Sequence, residues 1–188
     1  MKLAFHPLTP DRWDDLERLF GPRGACGGCW CMYWRRTGTE WRACDAKANR
    51  RDFRALVARG PAPGILAYEG GEPVGWCALA PREDYPRFRA SRTLKPVDDA
   101  PVWSVSCFFV RRDRRRQGVT RRLLEAAKRH VRASGGRIVE GYPVVPRGGS
   151  IPEAFAWTGV LPAFEAAGFE EVARPGARAI VRFALARR

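Results

Sequence analysis

The stretch VWSVSCFFVRRDRRRQGVTRRLLEAAKRHVRASGG, residues 102–136, constrains the fold more than any other. Its first nine residues are mostly apolar, β-branched or aromatic, the composition of a central strand. Seven arginines then fall within the twelve positions 111–122. From about Val119 to Ala133 the apolar spacing is helical, and Gly135 and Gly136 close it. A strand stopping at Val110, an Arg- and Gly-rich turn and a helix starting near Val119 point backbone N–H groups outwards at a positive helix end. That arrangement binds phosphate. Gly118 lets a ligand approach the backbone closely, and Arg115 and Arg116 add charge-assisted bonds.

The remaining elements follow from periodicity and turn residues. A short strand is expected at Lys2–Pro7. In TPDRWDDLERLFG, Thr9 is placed to cap a helix with Pro10 at its first position, and Gly21 and Pro22 end it. GACGGCWCMYWRRTGTEW has no clear period, and a helix around Asn49–Arg59 is stopped by GPAPG. GILAYEGGEPVGWCALA reads as two strands joined at Gly70-Gly71. Residues 81–101 read as a polar loop with four prolines. RIVEGYPVV is a further strand, followed by the loop PRGGSIP and a helix within EAFAWTGVLPAFEAAGF. EEVARPGARAIVRFAL supplies two last strands around Pro175-Gly176. The order is β, α, α, β, β, β, α, β, α, β, β: an α/β chain with a mixed sheet covered by helices.

At 188 residues and 45% hydrophobic content the chain can bury a sizeable core, and one domain over residues 1–188 is expected. Thirty-four Lys and Arg against twenty Asp and Glu leave a formal charge of +14, which favours anionic partners without choosing among them. No apolar run approaches the roughly 20 residues of a membrane span. The start, MKLAFHPLTP, does not read as a secretory signal, so the expectation is a soluble cytoplasmic protein. The six cysteines, Cys26, Cys29, Cys31, Cys44, Cys77 and Cys107, read as reduced thiols in that setting.

FFVRRDRRRQGVTRRLLEAA resembles motif A of the GNAT superfamily of N-acetyltransferases, whose turn reads Arg or Gln, two residues, Gly, one residue, then Gly or Ala. Arg115, Gly118 and Thr120 hold the three positions, and Thr120 departs from the pattern. FEAAGFEEVAR resembles the family's second signature, a helix ending in Gly-Phe, here Gly168 and Phe169. The resemblance spans nearly the whole chain. It implies the GNAT fold, a mixed, mostly antiparallel sheet of about six to seven strands flanked by about four helices. It also implies acetyl-coenzyme A as co-substrate, with no metal, held by Phe108, Phe109, Val110, Arg115, Arg116, Gln117, Gly118, Val119, Thr120 and Phe164. The amides from Arg116 to Thr120 would take the pyrophosphate, and the edges of Phe108 and Val110 would pair with the pantetheine arm.

The reaction so implied is direct attack of a primary amine on the thioester, with the Phe108 backbone N–H stabilising the oxygen as it becomes negative. The family's usual base position, four residues earlier, is Ser104 here. Glu140, on the next strand, is the nearest plausible carboxylate, with Tyr142 on the same face. The usual tyrosine acid is replaced by Phe164, leaving Tyr142, Tyr33 or unaided departure of the thiolate.

Residues 21–48 fall where the family places a loop over the acceptor pocket. Trp30, Tyr33, Trp34 and Arg35 are the acceptor candidates, suited to a compact amine that also bears a carboxylate or phosphate. Cys26, Cys29, Cys31 and Cys44 suffice in number for a zinc site, although their spacing is a poor match to paired knuckles. Partners are therefore acetyl-coenzyme A and an amine acceptor, with no membrane; the oligomeric state stays open, a homodimer included. Two rivals remain, a coenzyme A-binding protein without catalysis and a basic nucleic-acid binding module, of which the motif disfavours the second.

Overall fold

The structure, a computed structural model, describes residues 2–146 and 156–186. Seven strands form one sheet: β1 Ala4–Pro7, β2 Gly64–Glu69, β3 Glu72–Pro81, β4 Trp103–Val110, β5 Ile138–Gly141, β6 Glu170–Ala173 and β7 Ile180–Ala184, in the spatial order β1-β2-β3-β4-β5-β7-β6. Every pairing is antiparallel except that of β4 with β5. Six α-helices accompany it among the described residues: α1 Trp13–Phe20, α2 Gly38–Ala43, α3 Ala46–Arg59, α4 Pro86–Arg89, α5 Val119–Ala133 and α6 Leu161–Glu165. The mixed, mostly antiparallel sheet matches the fold expected from the sequence, with two short helices, α2 and α4, beyond the expected set. The loop and helix start expected over 147–155 lie outside the described residues.

The sheet is buried on both faces because β3 is apolar from Pro73 onwards, with Val74, Trp76, Cys77, Ala78, Leu79 and Ala80 all buried. On one face α5 lays down Val119, Leu123, Ala127 and Val131, spaced by four so that they line one side of the helix. On the other, Trp13, Leu16 and Phe20 of α1 and Phe53 and Val57 of α3 close over Leu66 and Trp76. Each Val, Leu and Phe among them contributes about 1.5–3 kcal/mol on burial.

Helix starts are set by local chemistry. The Asp45 carboxylate accepts the Ala48 N–H at 2.8 Å to begin α3, and Thr37 and Glu40 form a reciprocal capping box on α2. Thr9 sits at the expected boundary but makes no side-chain cap. Its hydroxyl accepts a bond from Arg12 at 2.7 Å, and the chain passes through a 3-10 turn at Pro10–Arg12 before α1.

Residues 81–101 depart from the expected polar loop. Tyr85, Phe88 and Leu94 are almost fully buried and form a third core with Trp34, Ala80, Tyr142 and Ile180. Pro86 opens the single turn of α4, which aims Phe88 inwards while Arg89 faces out. The apolar residues are too widely separated by Pro and Arg to show a period. Phe88→Ala should therefore lower stability by about 3–5 kcal/mol in urea unfolding. A loss under about 1 kcal/mol, as for an exposed residue such as Arg92, would return the segment to a solvated loop.

Candidate active site

β4 ends at Val110 and α5 starts at Val119. The turn between them is held open by two left-handed residues, Arg116 at φ 60° and Gly118 at φ 74°. No heavy atom lies within 4 Å of where a Gly118 Cβ would stand, so the mouth of the turn is empty space. Gly118 caps α5 without a side-chain hydrogen bond. The first N–H groups of α5 have no intrahelical acceptor and add to the positive helix end.

The arginines divide by what they touch. Arg111 pairs with Asp113 at 2.7 Å, and Arg114 spans Asp113 and Glu69. Arg115 turns back to donate to the Val110 carbonyl at 3.0 Å, and Gln117 donates to the Asp113 carbonyl at 3.0 Å. These groups shape the turn. Arg112, Arg116 and Arg121 are exposed, and among the described residues they have no ion-pair partner.

Next to the turn, β4 and β5 pair only from Trp103–Val139 to Val105–Gly141. Ser106 makes a bulge in β4 where the register against β3 shifts. Beyond it the strands part, and the Phe108 N–H meets the Trp157 carbonyl at 2.6 Å instead of a β5 partner. Gly159 closes the same gap, packed so tightly that a Cβ there would lie 2.7 Å from Phe164 and 3.1 Å from Phe108. Phe164 is fully buried against Phe108 and Phe169, with ring centroids at 5.9 and 5.2 Å. Phe109 turns to the opposite face, edge-on to Phe20, while Val110 and Val119 join the α5 core and Thr120 is half-buried.

Glu140 and Tyr142 come together with Ser104, and the three are buried. Tyr142 donates to Glu140 Oε1 at 2.7 Å and lies 2.7 Å from the Ser104 hydroxyl. Arg82 donates to the same Glu140 oxygen at 2.9 Å, and Arg182 to the other at 2.8 Å. Both carboxylate oxygens are thus filled by three donors. Burial first, and then the Glu140 carboxylate, push the Tyr142 hydroxyl well above the usual phenol range. Arg82 and Arg182 lie 58 and 42 residues from Glu140 in the chain, so nothing local in the sequence announced them.

The acceptor candidates split. Trp30 adopts φ 42° and packs between Trp13 and Phe20, in the core under α1 and α3. Tyr33 and Trp34 instead meet each other and Trp157, with centroids 5.2–5.6 Å apart, and Trp34 stacks on Phe88 at 4.4 Å. Arg35 lies with them, its guanidinium 4.7 Å over the Tyr85 ring. Arg87 covers Tyr33, and Arg178 lies near Trp157 and donates to Thr158. Trp157, Arg87 and Arg178 carried no sequence signal, because distant segments bring them here.

Cys26, Cys29, Cys31 and Cys44 do not form a metal-binding set: Cys26 is exposed, while Cys31 turns inwards, where its thiol meets Cys107 and its sulfur accepts the Trp76 indole N–H at 2.9 Å. Burial pushes the Cys29 thiol up to about 11. Among the described residues no three His, Cys, Asp or Glu side chains converge as metal ligands do.

Residues 28–143 match the model of the acetyltransferase (GNAT) family. The chain belongs to this family. Solved GNAT structures share its fold at low identity. A GNAT-family protein from Desulfovibrio desulfuricans is 19% identical, with a TM-score of 0.55 over 98% of this chain and 100% of that one. The PaiA N-acetyltransferase of Thermoplasma acidophilum, solved with coenzyme A, is 12% identical at a TM-score of 0.54, covering 98% of this chain and 100% of the other. YncA of Salmonella typhimurium, solved with acetyl-CoA, is 12% identical at a TM-score of 0.56, covering 100% and 96%. No curated protein sequence matches the chain. No described helix of this GNAT protein is long and apolar enough to cross a membrane.

The Glu140 network yields a direct test of what that carboxylate does. Removing it leaves two largely buried guanidiniums without their shared partner, so Glu140→Ala should cost about 3–5 kcal/mol of stability in thermal or urea unfolding. A variant with unchanged stability would free Glu140 for proton transfer.

Proposed function

We propose that the chain is an N-acetyltransferase that moves an acetyl group from acetyl-CoA to a primary amine on a small acceptor, by direct attack. The observation that carries this reading is the parting of β4 from β5 beside an open turn: it leaves one strand amide, that of Phe108, with only a loop carbonyl as partner. An amide in that position can turn to a thioester oxygen, as the oxyanion donor of an acyl transfer must.

The open turn suits the donor. Its empty mouth at Gly118, the first amides of α5, which have no intrahelical acceptor, and the exposed Arg112, Arg116 and Arg121 fit a phosphate-bearing ligand. Two neighbours of the same fold were solved with coenzyme A and acetyl-CoA, which supports the same choice here. Thr120 is half-buried at the first turn of α5, so its added side chain does not fill the mouth. Phe164 would form the floor under the acyl end. Residues 21–48, which carry Tyr33, Trp34 and Arg35, would bound the acceptor side.

The amine's lone pair attacks the thioester carbon, the new C–N bond forms as the C–S bond breaks, and the oxygen passes through a negative state held by the Phe108 N–H. One proton leaves the amine and the thiolate takes up another. We assign Glu140 and Tyr142 to holding the β4–β5 contact and not to moving either proton, since both are sealed inside a filled network. The amine then enters as its free base, and the thiolate, whose parent thiol ionises near pH 8.5, leaves unaided. That same sealing favours a second reading, a coenzyme A-binding protein without turnover, which a thiol-release assay across simple amines separates from the first.

Calorimetric titration with acetyl-CoA at two salt concentrations tests the donor site. One-to-one binding should be lost, by at least tenfold in Kd, in Gly118→Trp, whose side chain would fill the turn. Binding that survives the substitution would remove the turn from the donor site.

A further inference from the structure

Two half-buried arginines, Arg87 and Arg178, have no carboxylate partner among the described residues. Other arginines that bridge distant segments do: Arg36, Arg82 and Arg182 each meet one at 2.6–2.9 Å. Arg87 uses Nε and Nη2 on the carbonyls of Arg36 and Thr37, both at 3.2 Å. Arg178 is engaged differently. Its Nη1 alone makes both of its hydrogen bonds, to the Thr158 hydroxyl and to the Tyr142 carbonyl at 3.3 Å. Among the described residues its Nε and Nη2 have no acceptor. Burial pulls this guanidinium below its usual range, and the nearby Tyr33 offsets only part of that.

Nε and Nη2 lie along one edge of the guanidinium, the fork that takes both oxygens of a carboxylate in parallel. The bonds from Nη1 hold that fork in place from behind. The backbone beneath it is fixed as well: Arg178 bridges Val144, and on either side the Val145 and Ala179 N–H groups donate to the Ala177 and Pro143 carbonyls at 3.0 Å. The guanidinium stands 5.7 Å from the Trp157 ring centroid, and Trp157 meets Tyr33 edge-on at 5.3 Å. Arg87, 4.1 Å over the Tyr33 ring, adds positive charge along the same aromatic surface. Arg178, Trp157, Tyr33 and Arg87 are all partly exposed, so a solute reaches this surface from solvent.

The loop fixes where this fork lies relative to the reaction. The Trp157 carbonyl holds the Phe108 N–H at 2.6 Å, and the hydroxyl of the next residue, Thr158, holds Arg178. The arginine and the Phe108 amide are thus fastened to adjacent residues. We infer that the Nε–Nη2 edge of Arg178 binds a carboxylate, and that the acceptor is a compact primary amine bearing one, laid along Trp157 and Tyr33. The second half rests on the acetyl-transfer reading, whereas the first does not.

The test uses benzoate as the probe, with benzamide as its uncharged match, and needs no acetyl-CoA. In ¹⁵N-labelled full-length protein the Trp157 indole N–H signal is identified by Trp157→Phe, and each compound is titrated at constant ionic strength. Benzoate should give a saturable shift and bind about tenfold more tightly than benzamide, or better. Arg178→Gln should erase that difference while the other indole signals keep their positions, and Arg178→Lys, which keeps the charge and loses the fork, should restore part of it. Equal responses to the two compounds, or an unchanged preference in Arg178→Gln, would overturn the site. If Arg178→Gln unfolds, Arg178→Lys decides, since benzoate binding as tight as in the parent protein would also overturn it. Thiol release from acetyl-CoA should favour para-(aminomethyl)benzoate over its amide. Release without that preference, or displacement of benzoate by coenzyme A, would remove the acceptor half. Benzoate binding by a protein that does not bind acetyl-CoA would leave the carboxylate site standing and remove acetyl transfer.

Discussion

The short parallel contact between β4 and β5 governs the molecule. Three residue pairs hold it, from Trp103–Val139 to Val105–Gly141, and then the strands separate. The contact survives at that length because it is clamped from below: Ser104 on β4 meets Tyr142 just beyond β5, Tyr142 meets Glu140, and Glu140 is gripped by Arg82 and Arg182. A buried carboxylate with both oxygens charge-paired is costly to assemble and more costly to break, so the network fixes where pairing stops. The parting places the Phe108 amide beside the α5 turn, and every functional proposal for this GNAT protein depends on that placement.

The net charge of +14 has a structural share and a free share. Arg36, Arg82 and Arg182 tie distant segments together through carboxylates. Arg111 and Arg114 brace the turn that carries them. Arg112, Arg116 and Arg121 face outwards around one open mouth. Seven arginines in a row of twelve therefore do two jobs, forming the turn and charging its rim, and no continuous basic stripe of the kind that tracks a nucleic-acid backbone is needed to account for them.

How much was legible in the sequence depended on how local the cause was. The α5 helix was read at its observed limits, because its apolar spacing and closing glycines are local signals. The β2–β3 hairpin was equally plain from Gly70-Gly71. The third core was not, because Tyr85, Phe88 and Leu94 stand among prolines and arginines without a period, and only their docking on Trp34 and Tyr142 makes them core. Trp30 and Trp34 look alike in sequence, yet left-handed residues at Trp30 and Cys31 send them to different cores. The Glu140 ion pairs and the Phe108–Trp157 bond join segments far apart in the chain, and no pattern of neighbours encodes them.

The central claim is that the Phe108 amide exchanges its bond to the Trp157 carbonyl for one to the acyl donor. The most direct measurement follows the ¹⁵N–¹H signals of the Phe108 amide and the Trp157 indole as acetyl-CoA is added. The account predicts a saturable shift of both at the same concentration that moves the amides of Gly118 and Val119. Binding that moves the turn amides while Phe108 and Trp157 stay in place would contradict it.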